Sequence, residues 1–302
     1  MNTESSFDYA AMREIEIGDK EEITRCLSSS DFASCEYTFP NLYIWAGVYG
    51  TVWQNYRGHF YVHMPEIDEL LFPCSREAVT AEELAEVSRE MRRNSYSGII
   101  AHVPPAYLAT HPELSEYFTM QPMGSDNEEY IYQTEALAEL HGSKLSKKRN
   151  LISQFERRYD NFEIKPIEES DFRTVIALTE HWRMDHRADA RVEQEHKAID
   201  RALKYYSVLG FEGLMLLADN TIKAFAVFSR LNSKSYTVQF EKAELDCKGA
   251  SQVITCQTAK YLREKCEYIN REQDLGIEGL RQAKQSYVPI LMLKDYYLIP
   301  HQ

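Results

Sequence analysis

The run from Tyr236 to Leu262 limits the possible folds more than any other stretch. Tyr236, Val238 and Phe240 alternate with Thr237, Gln239 and Glu241, so a strand with one buried face is expected to end near Lys242. After a short polar connection, Gly249 opens a segment with Ala250, Val253, Ile254, Tyr261 and Leu262 on one stripe, the spacing of an amphipathic helix. The first amides of a helix lack partners within it and favour an anion in front of them. Lys248, Gly249, Ala250, Ser251 and Gln252 therefore form a candidate cradle for a phosphate or carboxylate. The plainer alternative is a glycine that only serves the turn.

Before this run, Gly213–Ala218, Ile222–Arg230 and Ser235–Lys242 read as three consecutive strands joined by Asp219-Asn220 and Asn232-Ser233 turns. They follow a strand at Phe162–Pro166 and helices at Phe172–His186 and Glu193–Tyr206. The first half mixes the same ingredients: strands at Phe60–Met64, Glu69–Phe72, Gly98–Val103 and Glu128–Gln133, and a helix over Ala81–Arg93. Asn41 is placed to cap a helix carrying Leu42, Trp45 and Tyr49, in a segment from Phe32 to Trp53 rich in aromatics that suits a core or a pocket wall. A chain of 302 residues is long for one core. The expected division is an N-terminal domain over 1–140, a basic connecting helix over 141–160 and a C-terminal domain over 161–302.

That connector stands out in an acidic chain of net charge −13, which is poorly equipped to grip nucleic acid or an anionic membrane over a broad surface. Lys144, Lys147, Lys148, Arg149, Arg157 and Arg158 face one acid, Glu156, above an apolar stripe of Leu151, Ile152 and Phe155. Lys147, Lys148 and Arg149 are the candidate contacts to a phosphate-bearing partner such as tRNA, against the reading of a solvated charge run. The six cysteines form no Cys-x-x-Cys pair, Met1–Ala11 holds no apolar run, and the long uncharged stretch at Tyr37–Tyr56 is interrupted by Pro40, Gly47 and Gly50. Reduced thiols, a cytoplasmic location and no transmembrane segment are expected. His181 and His186 lie five apart, wrong for one helical face, so no metal site is expected there with Asp185.

Phe240-Glu241-Lys242-Ala243, Lys248-Gly249-Ala250-Ser251 and the run Asn270-Arg271-Glu272-Gln273-Asp274-Leu275-Gly276, continued by Gly279-Leu280-Arg281, Lys284, Ser286-Tyr287 and Pro289, together resemble the bacterial family similar to the C-terminal domain of phosphatidylglycerol lysyltransferase. Cys35–Phe39, Asn41-Leu42-Tyr43 and Lys147–Asn150 extend the likeness over most of the chain. The resemblance implies an α+β (mixed α/β) fold of two tandem GNAT-like acyltransferase domains, each a largely antiparallel sheet flanked by helices. It also implies kinship with aminoacyl-tRNA-dependent transferases that build lipids and peptidoglycan bridges. The donor would be an aminoacyl-tRNA or a CoA thioester, no other cofactor is required, and the acceptor would be an amine or hydroxyl on a small molecule or lipid headgroup.

In such a transferase, Glu241 at the open end of its strand is the preferred base, Glu272 the next, and Tyr287 an acid for the leaving group. Asn270, Arg271, Asp274, Arg281 and Lys284 are the candidate substrate-binding groups, with structural pairing as the alternative. Acyl-CoA enzymes of this fold place Arg or Gln three residues before the first glycine; here Asp246 stands there, and a carboxylate repels a pyrophosphate. The second reading is therefore a non-catalytic protein that keeps the fold and binds a small anionic metabolite.

Overall fold

The computed structural model describes residues 6–28, 34–75, 77–185 and 190–301; His186 and the side chain of Asp185 lie outside the described residues. The chain forms two compact units, one holding the described parts of 1–32, 36–128 and 294–302, the other those of 33–35 and 129–293. Each is built on a seven-stranded sheet.

The first sheet takes β1 (Arg13–Glu14), β2 (Val52–Tyr56), β3 (His59–Met64), β4 (Glu69–Cys74), β5 (Ile100–Val103), β6 (Phe118–Pro122) and the last strand of the chain, β14 (Tyr296–Pro300). Their order is β1-β2-β3-β4-β5-β14-β6, with β4 and β5 parallel. Helices α1 (Lys20–Leu27), α2 (Phe39–Tyr49), α3 (Ala81–Arg93) and α4 (Pro105–Thr110) belong to this unit. Helix α2 starts earlier than expected: Thr38, not Asn41, is its cap, and its hydroxyl accepts from the Asn41 amide at 3.2 Å. Tyr37, Phe39, Tyr43 and Trp53 are buried, as core packing requires.

The second sheet takes β7 (Glu129–Gln133), β8 (Glu163–Pro166), β9 (Glu212–Ala218), β10 (Thr221–Arg230), β11 (Ser235–Ala243), β12 (Tyr268–Asn270) and β13 (Leu291–Leu293), ordered β13-β7-β12-β11-β10-β9-β8. Its helices are α5 (Thr134–Glu139), α6 (Ser146–Arg158), α7 (Phe172–Asp185), α8 (Ala190–Lys204), α9 (Tyr206–Leu209), α10 (Ala250–Leu262) and α11 (Glu278–Gln285). The antiparallel meander read from 213–242 is β9, β10 and β11. Helix α10 lies on this sheet, burying Ala250, Val253, Ile254, Ala259 and Leu262 with Phe228, Tyr236 and Val238. Each large aliphatic side chain so covered contributes about 1.5–3 kcal/mol.

Strand pairing divides the chain at other points than the boundaries at 140 and 160. Strand β7 pairs with β12 and β13, so it counts with the second unit. Helix α6 does too, because Leu145, Phe155 and Tyr159 are part of that unit's core. The C-terminal β14 lies between β5 and β6 of the first.

Candidate active site

The site in the second unit begins with an irregularity in β11. Val227 of β10 faces Phe240 whereas its neighbour Phe228 faces Val238, so Gln239 is an extra residue and the strand carries a β-bulge. The bulge reverses the alternation read from the sequence. Glu241, opposite Ala226, comes to the face already occupied by Tyr236 and Val238, beneath α10, where strict alternation puts it on the other side. The opposite face is closed as well: Thr237 is fully buried and donates to Glu272 Oε1 at 3.3 Å. The strand is thus buried on both sides.

A second irregularity makes room. Strands β11 and β12 run parallel and pair only through Ser235, Tyr236 and Thr237; beyond Thr237 and Asn270, β11 continues to Ala243 while β12 ends. The two strands part there, and Arg271 spans the opening. Its Nη2 donates to Glu241 Oε1 at 2.9 Å, and Thr255 Oγ1, on the facing side of α10, lies 2.8 Å from the same oxygen. Among the described residues, Glu241 Oε2 takes no hydrogen bond. Burial works against the charge on Arg271, but the carboxylate of Glu241 holds its pKa above the ordinary value.

Helix α6 closes the cluster. Lys148 Nζ stands 4.1 Å from the centre of the Tyr287 ring, and Arg271 Cζ lies 5.0 Å from the same ring. Among the described residues the ammonium makes no hydrogen bond or ion pair, and burial, followed by the charge of Arg271, pushes its pKa down. Arg271 Nη1 is buried without a hydrogen-bond partner. Tyr287 is 3% exposed, and its hydroxyl also lacks a hydrogen bond of ordinary geometry, although Thr255 lies beside it. Burial raises the Tyr287 pKa to about 12, so it stays protonated at neutral pH.

The remaining expected residues form a scaffold beside this cluster. Asp274, 0% exposed, accepts from Arg281 Nε and Nη2 at 2.9 Å each, from Tyr130 at 2.6 Å and from the Gly276 amide at 2.9 Å. Burial pushes its pKa up, but these donors outweigh it and hold the carboxyl below the usual range. Lys284 Nζ donates to the carbonyls of Arg271 at 2.6 Å, Glu272 at 3.3 Å and Gln273 at 2.5 Å. The guanidinium of Arg281 and the ammonium of Lys284 are therefore engaged by the protein's own oxygens. Asn270 donates to buried Glu129 and accepts from the Glu272 amide at 2.8 Å, which holds Glu272 at φ 56°. Glu272 lies on the Thr237 side, away from Glu241.

The glycine turn has a packing role. Gly249 has φ +94°, and a Cβ there would meet the Leu151 carbonyl oxygen at 2.5 Å and Phe155 Cβ at 2.9 Å. The amide of Ala250 donates to the Cys247 carbonyl at 3.1 Å. Lys248 is exposed, while Ser251 and Gln252 are half-buried. On α6, Lys147 is exposed, and Arg149 donates to the carbonyls of Leu140 and Gly142, closing the turn before the helix. Thr255, and Tyr132 whose ring centre lies 5.8 Å from Arg271 Cζ, carry no distinctive signal in the sequence. Thr255 sits one turn after Ser251 on the face that meets β11, a placement that the bulge-free alignment concealed.

The C-terminal domain model of phosphatidylglycerol lysyltransferase matches residues 28–299. A conserved protein of unknown function from Bacteroides thetaiotaomicron has a similar structure, with a TM-score of 0.89 and 27% identity over 96% of this chain and 99% of that one. The C-terminal domain of a putative lysylphosphatidylglycerol synthetase from Agrobacterium fabrum shares the fold at a TM-score of 0.67 and 15% identity, over 95% and 93% of the two chains. An uncharacterized protein of Mycoplasmoides gallisepticum is 25% identical over 169 residues, 55% of this chain; the match spans about half, 54%, of that relative. The mixed α/β fold with two largely antiparallel sheets flanked by helices is shared with these solved structures. With nearly its whole length matched, the chain belongs to the family of phosphatidylglycerol lysyltransferase C-terminal domains.

Proposed function

We propose that the second unit transfers an aminoacyl group from aminoacyl-tRNA to an amine or hydroxyl of a small molecule or lipid headgroup. The observation that carries this reading is Glu241: a carboxylate anchored through Oε1, with Oε2 unengaged, at the opening where β11 and β12 part. The acceptor's N–H or O–H gives its proton to Oε2 as its nitrogen or oxygen bonds to the acyl carbon. The ester C–O bond then breaks, and the released ribose hydroxyl takes a proton from Tyr287, which is protonated at neutral pH. Positioning supplies much of the acceleration, and the single base about 10²–10⁴-fold.

An aminoacyl ester suits the site better than a CoA thioester. The place where a pyrophosphate would meet Gly249 is taken by Leu151 and Phe155, and exposed Asp246 stands beside the turn. Exposed Lys147 on α6 is suited to a tRNA phosphate. Membership in the family favours a lipid-headgroup acceptor. Among the described residues, no helix is long and apolar enough to cross a membrane. Purified protein given labelled aminoacyl-tRNAs, or labelled acyl-CoAs, with phospholipid vesicles and free amines tests the reading. Label should move from aminoacyl-tRNA only; movement from acyl-CoA alone would refute the choice of donor.

A further inference from the structure

The cluster around Tyr287 holds more positive than negative charge: Lys148 and Arg271 against Glu241. Two donor groups there are without a hydrogen bond among the described residues, the Arg271 Nη1 amine, which is buried, and the Lys148 ammonium, which is half-buried. Both cations stand against one aromatic ring, at 4.1 and 5.0 Å from its centre, close enough for the charge of Arg271 to act on Lys148. A ring face attracts a cation but does not replace the hydrogen bonds that burial removes. The neighbouring cations are satisfied, Lys284 by three carbonyls and Arg281 by a carboxylate, whereas among the described residues the buried hydroxyls of Tyr206 and Thr258 share the deficit of Arg271 Nη1. What sets Lys148 and Arg271 apart is that two unsatisfied cationic donors stand against one ring.

We infer that Lys148 and Arg271 form the receptor for an oxyanion of the ligand, a carboxylate or a phosphate oxygen pair, laid over Tyr287 beside the free oxygen of Glu241. One negative charge makes the cluster neutral, which favours a monoanion over a neutral ligand. Both cations attract the oxyanion while Glu241 repels it, so the anion is held away from the base and the remainder of the ligand is directed toward Oε2. A ligand pairing an oxyanion with an amine or hydroxyl meets both demands. The inference deepens the proposed function by naming what its substrate must carry, but it is a statement about binding and is tested without a donor.

Isothermal titration of the full chain at constant ionic strength with acetate, inorganic phosphate and glycerophosphoglycerol, a water-soluble phosphodiester, reads it directly. Wild-type protein should bind at least one of these saturably, and which one binds separates a carboxylate from a free phosphate or a headgroup phosphodiester as the source. Lys148→Gln should weaken that binding roughly tenfold to hundredfold, the loss expected for one charge-assisted hydrogen bond. Arg157→Gln, on the same helix and exposed, should leave it unchanged. Glu241→Gln should bind at least as tightly, since it removes the repelling charge, so intact anion binding with no transfer separates a failure of catalysis from a failure of this receptor. No saturable binding of any of the three anions, or equal affinity in wild type and Lys148→Gln, would overturn the inference.

Discussion

Gly249 shows how one residue shapes a site through packing. Its positive φ and the contacts awaiting a Cβ at Leu151 and Phe155 let α6 lie against the start of α10, and α6 is the element that brings Lys148 to Arg271. Gly249→Ala should cost about 1–3 kcal/mol, from strain at φ +94° and overpacking, read as a lower urea midpoint at unchanged slope. Some of this was legible: a glycine between strand and helix was evident, and so were Glu241, Arg271 and Tyr287 as members of one neighbourhood. The partition among the cations was not. Arg281, Lys284, Arg149 and Lys148 look alike in sequence, and only folding reveals that carbonyls or a carboxylate occupy the first three and leave the fourth unengaged.

At the scale of elements, the loop leaving β12 owes its shape to α11. Lys284 reaches back to three consecutive carbonyls, at 271, 272 and 273, and so fixes the residue that carries the Arg271 guanidinium. Burial, then the charge of Arg271, lowers the Lys284 pKa to about 8. The direction of the pH effect follows. A folded-state pKa below the ordinary 10.5 means that the charged form is disfavoured by folding, so global stability rises slightly as pH climbs from about 8 toward 10.5. The loop responds oppositely, since a neutral amine offers two N–H donors for three carbonyls. Transfer activity should therefore decline above about pH 8 while the melting temperature does not, and Lys284→Met should be slow and lack this limb. A pH-rate profile beside a thermal melt at each pH checks it. The bulge at Gln239 was invisible beforehand, because alternation in β11 reads perfectly well without it; the extra residue is exposed only by the register against β10.

The whole molecule is two units, and the first completes its sheet with a strand distant in sequence from the rest of that unit. Strand β14 pairs with β6 from Tyr296 to Pro300 and with β5 on its other side, so it occupies the interior of the first sheet, not its edge. Truncation after residue 293 should cost that unit more than the ~5–15 kcal/mol that a domain has to spare, and amide exchange should show strands β2 to β5 losing protection while β9 to β11 keep it. The fold class was legible from helix and strand rhythm together with the motif run. The boundaries were not, because Glu129–Gln133 follows the first half in sequence yet finds its partners in β12 and β13. The central claim is that chemistry takes place at the opening between β11 and β12, with Glu241 receiving the proton. Single-turnover transfer from labelled aminoacyl-tRNA, measured for wild type and Glu241→Gln, tests it most directly: the rate should fall about 10²–10⁴-fold with the fold and anion binding intact, and an unchanged rate would contradict the account.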